Sequence, residues 1–76
     1  MMEQAMVADH LAKAERHVTE GEAHVARQTK LVAKMEQEGY DTCEARASLA
    51  LFKEMQELHV ADRDRLRKEL VDISAE

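Results

Sequence analysis

Proline is absent from this 76-residue sequence, glycine occurs only at Gly21 and Gly39, and the aromatic residues are limited to Tyr40 and Phe52. Proline and glycine are the residues that most often interrupt helices, so their scarcity permits long uninterrupted helices. Strong helix formers such as Ala, Leu, Glu and Lys fill most of the chain, and charged residues make up 36% of it. Because the apolar residues are also regularly spaced, the composition predicts an all-α protein rather than a disordered one.

Only one cysteine, Cys43, is present, so no disulfide can form within the chain. A single cysteine is typical of a reducing compartment, which favours a cytoplasmic location. The first residues lack the basic and apolar segments of a signal peptide, and no apolar run approaches the 18 residues of a membrane span. We therefore expect no membrane partner.

The formal net charge is −5, whereas nucleic-acid-binding proteins usually carry a basic face. The densest basic run, between Arg63 and Lys68, is interleaved with acidic residues. Four-residue spacings such as Arg65 to Glu69 allow these charges to pair along one helix. Nucleic acid is therefore not an expected partner.

One strong interruption divides the chain, at Gly39-Tyr40-Asp41. Glycine favours the left-handed conformation just past a helix end, and Asp41 followed by Glu44 has the form of a helix-capping box with Asp41 as the N-cap. Such a short connection predicts an antiparallel hairpin. We expect one domain over residues 1–76, with a first helix at about 3–38, a turn at 39–41 and a second helix at about 42–74.

Heptad spacing supports a coiled-coil-like hairpin. In the first helix, Leu11, Val18, Val25 and Val32 occupy positions a, and Ala14, Gly21, Gln28 and Met35 occupy positions d. The second helix offers a matching series: Ala45, Leu49, Phe52, Gln56, His59, Arg63, Leu66, Leu70 and Ile73. Folding at the turn pairs residues whose numbers add up to about 81, which places Gly21 opposite His59. The polar residues in the middle of this seam are interpreted as a layer that fixes register, with solvent exposure as the alternative.

A second apolar set lies off this seam and consists of Leu31, Leu51, Met55 and Leu58. A contiguous exposed apolar patch usually marks an interface. These residues therefore predict a homodimer in which two hairpins form a four-helix bundle, and a loosely packed monomer is the alternative.

Three histidines, His10, His17 and His24, recur every seven residues. Neighbouring rings at this spacing are about 10 Å apart along a helix, which is too far for two of them to share a zinc ion. The ordinary interpretation is that they flank the seam at position g. The alternative is a metal- or pH-responsive site formed by His17, Glu20, His24 and His59, although we expect no metal and no cofactor.

Catalytic patterns are missing from the sequence, which has no nucleophile triad and no glycine-rich phosphate loop, so we expect no enzymatic activity. A reactive thiol at Cys43, in the first turn of a helix, is one alternative. The more ordinary interpretation is a small residue near a helix start.

Several segments resemble short bacterial proteins of no established activity, mainly from alphaproteobacteria. The matching segments are His10-Leu-Ala-Lys-Ala-Glu-Arg-His-Val, Glu20-Gly-Glu, Gly39-Tyr-Asp-Thr, Leu49-Ala-Leu-Phe, Leu58-His59 and Arg63-Asp-Arg-Leu. The resemblance covers roughly residues 10–70 and implies a helical hairpin that stands alone. Together with the apolar patch, it leads us to expect a small adaptor or regulator that binds itself and another, unidentified protein.

Overall fold

Two long helices make up the computed structural model, which describes residues 2–75. Helix α1 spans Met2–Gln37 and helix α2 spans Cys43–Ser74. They pack against each other along their lengths in an elongated body of 58 × 14 × 14 Å. The all-α hairpin expected from the heptad spacing is therefore confirmed, with helix ends within one residue of the expected ones. Over the described residues, neither helix has a stretch long and apolar enough to cross a membrane.

Helix α1 ends in a Schellman motif centred on Gly39, which has a φ of +79°. The Gly39 N–H donates to the carbonyl of Glu36 at 3.2 Å, and the Tyr40 N–H donates to the carbonyl of Met35 at 2.9 Å. These two bonds satisfy carbonyls that the last helical turn leaves without partners. The positive φ explains why glycine occupies this position.

The start of α2 differs from the predicted capping box. Thr42, rather than Asp41, occupies the N-cap position, and its side chain makes no capping hydrogen bond. Asp41 lies one residue earlier, and its Oδ1 accepts a hydrogen bond from the N–H of Cys43 at 2.9 Å. The carboxylate thus still satisfies a free N–H of the first turn, but from outside the helix. The prediction of Asp41 as the N-cap was wrong by one residue, because the Schellman turn extends through Tyr40.

The best-buried part of the seam lies at the open end of the hairpin, far from the turn. Val7, Ala14 and Leu66 form a buried cluster there. Leu11, Leu70 and Ile73 pack around the cluster while remaining partly exposed. Further along the seam, Val18 and Val32 are also buried. The hairpin therefore has a thin core, in which each helix buries one stripe of mostly small apolar side chains.

Candidate interaction face and histidine pair

The seam divides the surface of the hairpin into two long sides, set by the heptad positions that flank it. We call one side the histidine face. It carries the g positions of both helices and, beside them, the c positions. Its histidine and apolar members include His10, His17, His24 and Leu31 on α1, and Leu51, Met55 and Leu58 on α2. Its polar members include Lys13, Glu20, Arg27 and Lys34 on α1, and Ser48 and Asp62 on α2.

We call the opposite side the ion-pair face, because charged residues at the e positions link the two helices there. Its members are Glu15, Glu22 and Glu36 on α1, and Arg46, Lys53 and Arg67 on α2. Arg67 pairs with Glu15 at 3.5 Å, and Arg46 pairs with Glu36 near the turn. No such ion pair joins the two helices across the histidine face within residues 2–75.

The predicted interface residues all lie on the histidine face, in the half of the hairpin nearer the turn. Their exposed fractions are 46% for Leu31, 54% for Leu51, 45% for Met55 and 70% for Leu58. Leu31 continues the heptad series of the three histidines, so the face changes from imidazoles to aliphatic side chains toward the turn. A shallow groove beside Met55 extends the apolar surface toward Phe52 in the seam. The groove beside Leu31 is also lined by polar residues, among them Asp41 and Glu44.

The heptad histidines lie at the edge of the seam, and each has different surroundings. The ring of His17 faces the ring of His59 across the seam, with centroids 5.3 Å apart and planes tilted by 52°. The ring of His24 packs on Phe52 at 5.9 Å. His10 borders a groove near Ala14 and Leu66. The three are exposed, whereas His59 is half-buried.

His24 is also engaged by its own helix. The guanidinium of Arg27 lies 2.8 Å from Nδ1 of His24. Arginine only donates hydrogen bonds, so Nδ1 accepts here and its lone pair is occupied. His24 is therefore held by Arg27 on one side and Phe52 on the other.

The four residues of the metal hypothesis, His17, Glu20, His24 and His59, do not form one cluster. Among residues 2–75, no group of three or more His, Cys, Asp or Glu side chains is placed to hold an ion together. Only His17 and His59 are brought together by the fold.

The middle of the seam is polar, as the sequence indicates, but its partners differ from the expected ones. Gln56, rather than His59, fills the space left by the missing side chain of Gly21, and a Cβ at Gly21 would overlap the Gln56 carboxamide. Gln56 Nε2 donates to the carbonyl of Val18 at 2.9 Å. Oε1 of Gln56 is buried and has no hydrogen-bond partner.

A second carboxamide crosses the seam nearer the turn. Gln28 Nε2 donates to the carbonyl of Ala45 at 3.0 Å. A carbonyl oxygen has two lone pairs, so Val18 and Ala45 can each accept this bond in addition to their helical one. The partly buried glutamines therefore join the two backbones at fixed positions, which supports the interpretation that this layer fixes register.

Cys43 is exposed and lies at the first position of α2, with its own N–H bound to Asp41. Both interpretations of this residue, a reactive thiol and a small residue near a helix start, agree with this position.

Comparison of the chain with protein-family models, with curated proteins and with solved structures gave no match.

Proposed function

We propose that this chain is a non-enzymatic protein–protein interaction module that acts as a homodimer. In this proposal, the histidine face of one copy packs on the histidine face of the other. The observation that carries the proposal is the position of Leu31, Leu51, Met55 and Leu58, which are exposed together on that face. Large apolar side chains grouped on one side of a small protein usually mark a site of association.

The total surface of the hairpin also favours a second copy as the occupant. A compact monomer of 8.7 kDa is expected to expose about 4,700 Å². This chain exposes 5852 Å², which is roughly 1,100 Å² more. A standard interface buries about 800 Å² per partner, so one face-to-face contact would remove most of the excess.

Charges beside the apolar patch favour one arrangement of the two copies. On α1 the patch is flanked by Arg27 and Lys34, whereas on α2 it is flanked by Glu44 and Asp62. A two-fold axis parallel to the hairpin places α1 of each copy over α2 of the other, which brings opposite charges together. An axis across the hairpin would instead place α1 over α1 and bring like charges together. We therefore propose the arrangement with the parallel axis, as a four-helix bundle.

The dimer would serve as an adaptor or regulator, leaving its outer surface to a further protein partner. We propose a cytoplasmic location, supported by the exposed and unpaired thiol of Cys43. We also propose that the chain is related to the short alphaproteobacterial hairpins. We propose neither nucleic acid nor a membrane as a partner.

The mass in solution tests the homodimer. Size exclusion coupled to light scattering, at tens of micromolar protein, should give twice the chain mass of 8.7 kDa. A single species of 8.7 kDa at that concentration would refute the proposal.

A further inference from the structure

His17 and His59 are the only two histidines whose rings meet within the described residues, and they come from different helices. Their centroids are 5.3 Å apart. A zinc ion lies about 2.0–2.1 Å from each coordinating nitrogen and holds its ligands near tetrahedral angles, so two imidazoles on one ion have centroids about 5 Å apart. The observed separation therefore matches that of two rings sharing an ion.

We propose that His17 and His59 form a two-histidine site for a divalent transition metal, which bridges α1 and α2. Neutral imidazole is a preferred ligand of Zn²⁺, Ni²⁺ and Cu²⁺, whereas Mg²⁺ and Ca²⁺ prefer oxygen ligands. Water completes the coordination, in keeping with the lack of a third protein ligand beside the pair among the described residues. Both ligands belong to one chain, so the site needs no residue from a second copy.

The charges around the pair do not oppose a cation. Arg63, one turn beyond His59, is bound to Asp64, and Arg65 is bound to Asp62. Glu20 lies one turn beyond His17, and no ion pair engages its carboxylate in the described part of the chain. Lys13, one turn before His17, is paired with Asp9 at 3.2 Å.

The other two heptad histidines provide matched controls. His24 occupies the same heptad position as His17, but its Nδ1 is bound to Arg27 and its ring lies on Phe52. His10 has no histidine opposite it in the structure, which describes residues 2–75. Replacing either removes one imidazole and keeps both proposed ligands, His17 and His59.

The test is thermal unfolding followed by circular dichroism, at pH 7.5, with and without Zn²⁺. The parent, His10→Ala and His24→Ala should each show a rise in melting temperature of about 6–11 °C at a Zn²⁺ concentration ten times the measured Kd, because the ion binds the folded chain. The variants His17→Ala and His59→Ala should lose this rise. Each variant is compared with itself without metal, so a change in its baseline stability does not affect the result.

Any of three results would refute the proposed metal site. These are no rise in the melting temperature of the parent with Zn²⁺, an equal rise in His17→Ala, or loss of the rise in His24→Ala. Mg²⁺ at the same concentration should have no effect. Light scattering with and without Zn²⁺ should give the same mass, because an increase would mean that the ion links separate chains instead.

Discussion

The ion-pair face and the histidine face flank the same seam, yet their side chains are satisfied in different ways. On the ion-pair face, charges of α1 meet opposite charges of α2, as in the pairs Glu15–Arg67 and Glu36–Arg46. On the histidine face, the contacts between helices are those of rings, His17 with His59 and His24 with Phe52, and the leucines near the turn point to solvent. The ion pairs between helices thus lie on one side, whereas Leu31, Leu51, Met55 and Leu58 are exposed together on the other. Val71, which is 66% exposed, lies apart from this group.

A helical hairpin can therefore be fully formed as a fold while one of its sides still exposes a group of apolar side chains. Salt-bridged e positions tolerate water well, and they contribute little to stability. Exposed leucines at positions c and g lose hydration only when another surface covers them. The asymmetry therefore points to the histidine face as the side available for association.

The largest expected effect comes from placing charge on the histidine face. In the double variant Leu51→Glu with Leu58→Glu, two carboxylates of each copy would enter the proposed interface at positions that apolar side chains fill in the parent. Their burial costs at least about 3 kcal/mol, which raises the Kd of the homodimer at least about hundredfold. Sedimentation equilibrium should show a monomer at concentrations where the parent is a dimer.

The matched control places the same two charges elsewhere on α2. Ala50 and Ala61 are exposed and lie off the histidine face, so Ala50→Glu with Ala61→Glu should leave the mass of the parent unchanged. If both double variants dissociate alike, net charge rather than the histidine face governs association.

An intermediate effect is expected in the seam that separates the two faces. Gly21→Ala adds about 1 kcal/mol of helix propensity, but its Cβ displaces the Gln56 carboxamide and removes a hydrogen bond of about 1 kcal/mol. The net change in the parent should therefore be close to zero. In a Gln56→Ala background the space is empty, so Gly21→Ala should stabilise by about 1 kcal/mol.

Urea denaturation of the parent and the three variants of this cycle gives the coupling between Gly21 and Gln56, which we expect to be about 1 kcal/mol. Equal effects of Gly21→Ala in both backgrounds would show that Gln56 does not occupy the space beside Gly21. Another interaction would then have to fix the register of the two helices.

The helical hairpin could be predicted from the sequence because two independent signals agree. The heptad series on either side of Gly39 requires two long amphipathic helices, and the positive φ of Gly39 ends the first of them. The N-cap was misplaced because Asp41 and Thr42 are both good capping residues. Their choice depends on how many residues the turn uses, which a sequence pattern does not specify.

The contacts in the middle of the seam were harder to predict from the sequence, because they depend on how far each side chain extends across it. Pairing residues whose numbers add up to about 81 places Gly21 opposite His59, and both residues line the same groove. The side chain of Gln56, however, extends to the Val18 carbonyl and fills the space beside Gly21. The His59 ring meets His17 instead. Four histidines are visible in the sequence, yet the pair that meets depends on register to within one residue.

The smallest expected effect comes from the ion-pair face. Glu15 and Arg67 are about half exposed, so Glu15→Gln should lower the free energy of unfolding by no more than about 0.5 kcal/mol. The difference from the parent should disappear in 1 M NaCl, where exposed charges are screened. A loss of several kcal/mol, or a change in mass, would mean that this face takes part in association.

The central claim is that the histidine face, and not the ion-pair face, is buried between two copies. Methyl NMR spectra of the parent over a dilution series test it most directly, because each methyl group reports on its own surroundings. Our account predicts that the signals of Leu31, Leu51, Met55 and Leu58 shift as the homodimer dissociates. The signals of Val60 and Val71, which lie off the histidine face, should stay in place. Spectra in which the valines shift and the leucines do not, or in which no signal changes while light scattering gives a monomer throughout, would contradict it.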